Sequence, residues 1–142
     1  MATLKKFVEG KQMLYVKSGM CVYDIVKYMD GYDIGAVPVL DEENKLIGIF
    51  SERDLMRRCV AKEKNIKEIV VDEVMTNEVI FINSDDTPEK CLRILQQEQI
   101  RHIPVVEGNK LIGMISLRDL FLYDMQVKEH IVDTATAHIF YG

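Results

Sequence analysis

No apolar stretch in these 142 residues approaches the ~20 needed to cross a bilayer, and Met1–Glu9 lacks the continuous apolar core of a signal peptide. The expectation is a cytoplasmic protein with no membrane partner. An excess of positive charge is also missing. Eighteen Lys and Arg against 23 Asp and Glu leave a formal charge of -5, which argues against a general nucleic-acid footprint and confines any basic site to a local cleft. Cysteine is sparse. Cys21, Cys59 and Cys91 are odd in number and widely spaced, with no Cys-x-x-Cys pair and no His placed to complete a zinc site. They imply neither a disulfide framework nor a metal, and read as buried free thiols. No Gly/Ser-rich linker occurs either: Ala61–Val70 is charged and then apolar, so the segments it joins are expected to lie close together.

What is present is said twice. Gly35-Ala36-Val37-Pro38-Val39-Leu40, a polar turn and Leu46-Ile47-Gly48-Ile49-Phe50-Ser51-Glu52-Arg53-Asp54-Leu55 return as Arg101-His102-Ile103-Pro104-Val105-Val106, a turn and Leu111-Ile112-Gly113-Met114-Ile115-Ser116-Leu117-Arg118-Asp119-Leu120. The spacing is 66 residues from Pro38 to Pro104 and 65 from Ser51 to Ser116, so the single-residue difference falls in the turn, where deletions are tolerated. A hydrophobic content of 48% with 29% charge is that of an ordinary globular chain. Each half, at about 65 to 70 residues, is marginal alone and needs the other to bury enough apolar surface.

Each copy reads as short strand, helix, strand, tight turn, strand, helix. In the first, Leu14–Lys17 is a brief extended segment, and Val22, Ile25, Val26 and Met29 recur at helical spacing up to Asp30-Gly31, where glycine is expected to end the helix. Val37–Leu40 and Leu46–Phe50 flank a hairpin turn. In the second, Val79–Ile82 is the expected strand, Thr87 is an N-cap with Pro88 at the first helical position, and Cys91, Leu92 and Leu95 line the helix. Cys21 stands where Thr87 does and is the weaker cap. The last helix is expected to run on into the tail, and Ile139-Phe140-Tyr141 is apolar enough to need a partner surface, within the chain or on another subunit.

The chemistry falls where the third strand of each copy meets its second helix, in a shared pattern of Gly, two apolar residues, Ser, any residue, Arg and Asp. Taken alone, either Ser-x-x-Asp reads first as a capping box that satisfies free amides at a helix start. The arginines Arg53 and Arg118 are not needed for that. A helix start carrying a serine, an arginine and a carboxylate can hold a phosphate and accept from a ribose diol. Arg101-His102 adds cationic character that capping does not explain.

At these residues the chain resembles the CBS domain, and the two copies resemble a tandem CBS pair, or Bateman module, over nearly all of residues 1–125. Val37-Pro38-Val39, Ile103-Pro104-Val105, the Gly48 and Gly113 steps, both Ser-x-x-Asp ends and Val74-Met75-Thr76 carry the likeness. It looks most like the small stand-alone CBS-pair proteins. The resemblance implies an α/β (α+β) fold in which residues 1–66 and 67–125 form two repeats packed through their sheets with pseudo-twofold symmetry. Residues 126–142 form a tail whose start continues the last helix. It further implies two clefts for an adenosyl ligand: AMP, ADP, ATP or S-adenosylmethionine. In that pattern Asp54 and Asp119 hold the ribose and Ser51 and Ser116 lie near phosphate or ribose. Gly35, Ala36, Val37, Arg101, His102 and Ile103 flank the base or reach phosphates, and Thr76 closes the cleft beside Asp54. Gly35-Ala36 has no basic side chain where Arg101-His102 has two, so the clefts are expected to be unequal, with Arg101-His102 adjoining the second.

The function expected from this is a non-catalytic, energy-sensing regulatory module that needs no cofactor or metal, responds to its ligand by a change of shape or assembly, forms a homodimer and signals to an unidentified target protein. The alternatives are a structural dimerisation or nucleic-acid-binding module without an adenosyl ligand, and, less favoured, a nucleotide-hydrolysing enzyme. The enzyme reading lacks a repeated His to serve as base for Ser51 and Ser116.

Overall fold

The computed structural model of the chain describes residues 3–131. Two three-stranded sheets share one topology. In the first, β1 (Val16–Lys17) lies parallel to β2 (Ala36–Leu40), which pairs antiparallel with β3 (Leu46–Ser51). In the second, β4 (Ile82–Asn83), β5 (His102–Glu107) and β6 (Lys110–Ser116) repeat the arrangement, and a register shift at Val39/Leu40 recurs at Val105/Val106. Only Ile82–Asn83 pairs as a strand, not Val79–Ile82, and only Val16–Lys17 of the extended segment Leu14–Lys17 does so. The parallel partner is short because the chain leaves the sheet edge as soon as one buried residue, Val16 or Ile82, has entered the core.

The crossover helices are α2 (Val22–Tyr32), following the short α1 (Lys5–Val8), and, in the second repeat, α4 (Pro88–Glu98). Val22, Ile25 and Met29 bury one face of α2, and Pro88, Cys91 and Leu95 one face of α4. Gly31 does not end α2. The helix continues through Tyr32 and stops at Asp33, whose φ of 55° is left-handed, as is that of Gln99 after α4. Asp tolerates that conformation well enough to take the C-cap role usually given to glycine.

The two helix starts are satisfied by different means. Thr87 Oγ1 accepts from Lys90 N at 3.2 Å, an ordinary side-chain cap. Cys21 caps nothing; Val22 N and Tyr23 N instead donate to the carbonyls of Ile69 and Ile66, each at 3.0 Å, and the Cys21 thiol donates to Ile66 O. The segment joining the repeats thus supplies the acceptors that the sequence of α2 lacks.

After β3, α3 (Glu52–Asp54) widens at once into a π-helical stretch over Leu55–Val60, where Ala61 N donates five residues back to Met56 O at 2.9 Å. The second repeat instead continues from β6 into the regular α5 (Leu117–Ile131). Ile139-Phe140-Tyr141 lies outside the described residues. Cys59 and Cys91 are buried, whereas Cys21 is only half-buried. Burial pushes the Cys91 thiol up to about 11.

Each repeat has its own core, and each core is completed by chain from elsewhere. Val71, Val74 and Met75 join Val22, Ile25, Val37, Val39 and Phe50, while Leu4 and Val8, at the other end of the sequence, join Ile82, Leu95, Ile103 and Ile115. The glycine steps make room for them: a Cβ on Gly48 would lie 2.5 Å from Met75 Sδ, and one on Gly113 would lie 2.7 Å from Val8 Cγ1 and 2.9 Å from Val8 Cβ. Met75 can swing its thioether aside. Val8 is β-branched and cannot move its Cβ without moving α1. Gly113→Ala is therefore expected to cost ~1–3 kcal/mol, more than Gly48→Ala, with part of the loss recovered by adding Val8→Ala. Urea denaturation of the parent and the three variants checks this, and equal losses at the two glycines would contradict it.

Candidate functional site

Both Ser-x-x-Asp quartets form reciprocal capping boxes. Asp54 Oδ2 accepts from Ser51 N at 3.0 Å while Ser51 Oγ accepts from Asp54 N at 3.3 Å; Asp119 Oδ2 accepts from Ser116 N at 2.8 Å while Ser116 Oγ accepts from Asp119 N at 3.0 Å. The boxes differ in what else holds them. Asp54 is 6% exposed, and its carboxylate also accepts from Ser51 Oγ at 3.1 Å and from Thr76 Oγ1 at 3.1 Å, with Arg58 Nε at 3.6 Å. Asp119 is half-buried, and among the described residues its second oxygen meets only Lys11 Nζ at 3.7 Å. Asp119 therefore keeps acceptor capacity for a ligand that Asp54 has already committed to the protein.

Thr76 comes to Asp54 because the strand edge brings it there. Thr76 N donates to Ile49 O at 2.8 Å and Ile49 N to Thr76 O at 2.9 Å, so the chain entering the second repeat pairs with β3 of the first. Arg58 ties the same segment down by donating to Met75 O at 2.8 Å. Among the described residues no matching backbone pair joins the N-terminal segment to β6.

Two clefts open at these ends. The first, about 530 Å³, is walled by Ile49, Val79 and Ile80 and brings together Ser51, Arg53, Asp54 and Thr76. The second, about 1100 Å³, is walled by Leu92, Met114 and Phe121 and brings together Ser116, Arg118 and Asp119. Gly35, Ala36, Arg101 and His102 line both. This corrects the expectation that Arg101-His102 adjoins only the second cleft: the β2 and β5 starts lie between the clefts, so each is shared. Val37 and Ile103 are fully buried in the two cores and their side chains line neither cleft. Strand alternation explains it, since Ala36 and His102 face the clefts and the next residue of each strand faces inward.

Sequence reasoning missed Arg57 and Arg58, which also line the first cleft. The signal was available as Arg53-x-x-x-Arg57-Arg58, a helical spacing that returns the cations to one side. Glu52 was missed too. Its side chain lies over Gly35, whose added Cβ would come within 3.2 Å of Glu52 Cδ, and Glu52 N donates to Gly35 O at 3.0 Å.

His102 sits among charges from both repeats. Burial pushes its pKa below the usual 6.5 and Arg101 adds to the depression, while Glu52 and Asp119 pull the other way without overcoming it.

A CBS-domain family model matches residues 10–61 and 71–125. The chain belongs to the CBS-domain family, as a tandem pair of two repeats. It is 31% identical to the MK0525 protein of Methanopyrus kandleri over 78% of this chain and 55% of that one; it spans about half the length of that relative. The crystal structure of the CBS domain NE2398 superposes with a TM-score of 0.82 at 30% identity, covering 88% of this chain and 99% of that one. A CBS domain pair of protein MJ0100, solved in complex with 5'-methylthioadenosine and S-adenosyl-L-methionine, shares the fold at a TM-score of 0.79 and 22% identity, over 90% and 99% of the two chains. No helix among the described residues is long and apolar enough to cross a membrane.

His102 yields a pH prediction. A folded pKa below the unfolded value means the unfolded chain takes up the proton first, so this contribution to stability is complete above 6.5 and lost as the pH falls through the folded value. The melting temperature of the parent is expected to fall from neutral to about pH 5.5 more steeply than that of His102→Gln. Equal slopes in thermal melts would show that the imidazole is not held neutral.

Proposed function

We propose that the chain is a non-catalytic regulatory module whose two clefts bind adenosyl ligands. One observation carries the reading: each cleft places a carboxylate and an arginine from one repeat beside apolar walls and beside the start of the other repeat's central strand. Apolar walls suit a purine, the Asp119 carboxylate keeps an oxygen that can accept from a ribose diol, and guanidinium groups suit phosphate. The volumes are of small-molecule scale. The complex of the MJ0100 domain pair with 5'-methylthioadenosine and S-adenosyl-L-methionine supports the ligand class.

The serines serve this reading better than a nucleophilic one. Ser51 Oγ donates its proton to Asp54 Oδ2 and accepts from Asp54 N, so its hydroxyl is engaged in the cap. A ligand spanning residues of both repeats changes their relative placement, and that change is the signal passed to a target protein.

Thermal shift against AMP, ADP, ATP, S-adenosylmethionine and adenosine tests the reading. A ligand at about 100 times its Kd is expected to stabilise the parent by ~2.7 kcal/mol. Asp119→Ala is expected to lose about 1 kcal/mol of intrinsic stability with the cap and to reduce the ligand-induced shift as well. If none of the five raises the melting temperature, a structural role without ligand takes its place.

The module is further proposed to assemble as a homodimer. Met56 at 57% exposure and Phe121 at 46% occupy matching positions of the two repeats, with Val60 at 64% and Leu122 at 45% beside them. Such apolar side chains on equivalent helices suit a symmetric face. Light scattering is expected to give twice the 16.4 kDa chain mass, and Met56→Glu with Phe121→Glu to give a monomer; a monomeric parent at tens of micromolar would exclude the dimer.

A further inference from the structure

The two clefts carry opposite balances of charge. Four arginines, Arg53, Arg57, Arg58 and Arg101, stand against three carboxylates in the first, whereas two arginines stand against four carboxylates in the second. The internal contacts sharpen the contrast. In the first cleft Asp54 is hydrogen-bonded by Ser51 and Thr76 and its charge is countered by Arg58, while Arg53 and Arg57 are exposed and make no salt bridge among the described residues. In the second, the positions matching Arg57 and Arg58 are Leu122 and Tyr123, and the acids Asp33, Glu89 and Asp119 lie along the wall. The difference lies in the side chains: Tyr123 lines the second cleft from α5 where Arg58 lines the first, and no arginine follows Arg118 at the matching positions.

We infer that the clefts are selective by ligand charge. The first takes an adenosyl ligand bearing phosphates, held by Arg57 together with Arg53, and the second takes an adenosyl ligand whose 5' substituent carries no net negative charge, such as a nucleoside or a sulfonium. This rests on the adenosyl reading above and assigns Arg57 as the residue that sets phosphate preference. The physical basis is that guanidinium forms charge-assisted hydrogen bonds to phosphate oxygens, whereas a wall of carboxylates repels them.

Methionine methyl NMR separates the two clefts, because Met56 lines only the first and Met114 only the second. With the signals assigned by Met56→Leu and Met114→Leu, ATP is expected to shift Met56 at lower concentration than Met114, and S-adenosylmethionine to do the reverse. Arg57→Ala is expected to raise the ATP concentration needed at Met56 about tenfold while changing that for adenosine by under about twofold, with Arg57→Lys in between. Added salt should weaken ATP at Met56 more than S-adenosylmethionine at Met114. The same order of the two signals for both ligands, or an unchanged ATP response in Arg57→Ala, overturns the charge assignment and leaves adenosyl binding standing. If no ligand moves either signal, adenosyl binding itself falls.

Discussion

Met75 lies on Gly48 and Val8 lies on Gly113, and the rest of the structure depends on these two contacts. A three-stranded sheet with one crossover helix leaves part of its apolar surface uncovered. Here the cover is a piece of chain that, in sequence, leads into the other repeat: Val71–Met75 precedes the second sheet and completes the first core, and Leu4–Val8 precedes the first sheet and completes the second core. Each half therefore borrows its last core residues from a segment attached to its neighbour. The exchange couples the halves more firmly than their small separate cores would, in keeping with the marginal stability of a domain of this size.

The same crossing segment builds the first cleft. As Val74–Thr76 passes β3 it pairs with Ile49, and that pairing delivers the Thr76 hydroxyl to Asp54 and the Met75 carbonyl to Arg58. Further back, Asp72 binds the turn before α2. Burial raises the Asp72 pKa, but hydrogen bonds from Ser18 Oγ and Gly19 N more than offset this and leave it lowered. The joining segment also gives its Ile66 and Ile69 carbonyls to the uncapped start of α2. One stretch of about a dozen residues thus closes a core, caps a helix and edges a cleft.

A capping box and a ligand site make competing demands on the same carboxylate. A cap contributes about 1 kcal/mol, and a buried carboxylate left without donors costs more than that, so Asp54 is best satisfied where it stands. Asp119 escapes the conflict because only one of its oxygens is used by the cap backbone, the other facing the flexible, exposed Lys11. His102, between the clefts, senses Glu52 from one helix start and Asp119 from the other.

The sequence alone determined the repeat, the order of elements and the two capping boxes. Each of these rests on neighbours within a few residues or on a period of 2 or 3.6, so the local pattern contains its own partner. The strand expected at Val79–Ile82 shrank to Ile82–Asn83 and the end of α2 moved past Gly31, because the limits of an element are set by what it pairs with and what caps it. Only the tertiary structure decided that Arg101-His102 serves both clefts, that the carbonyls of Ile66 and Ile69 replace a side-chain cap, and that Arg57 and Arg58 turn the first cleft into the more cationic one. Those are contacts between residues brought together by the crossing of the chain, and no spacing along the sequence encodes where two distant segments meet.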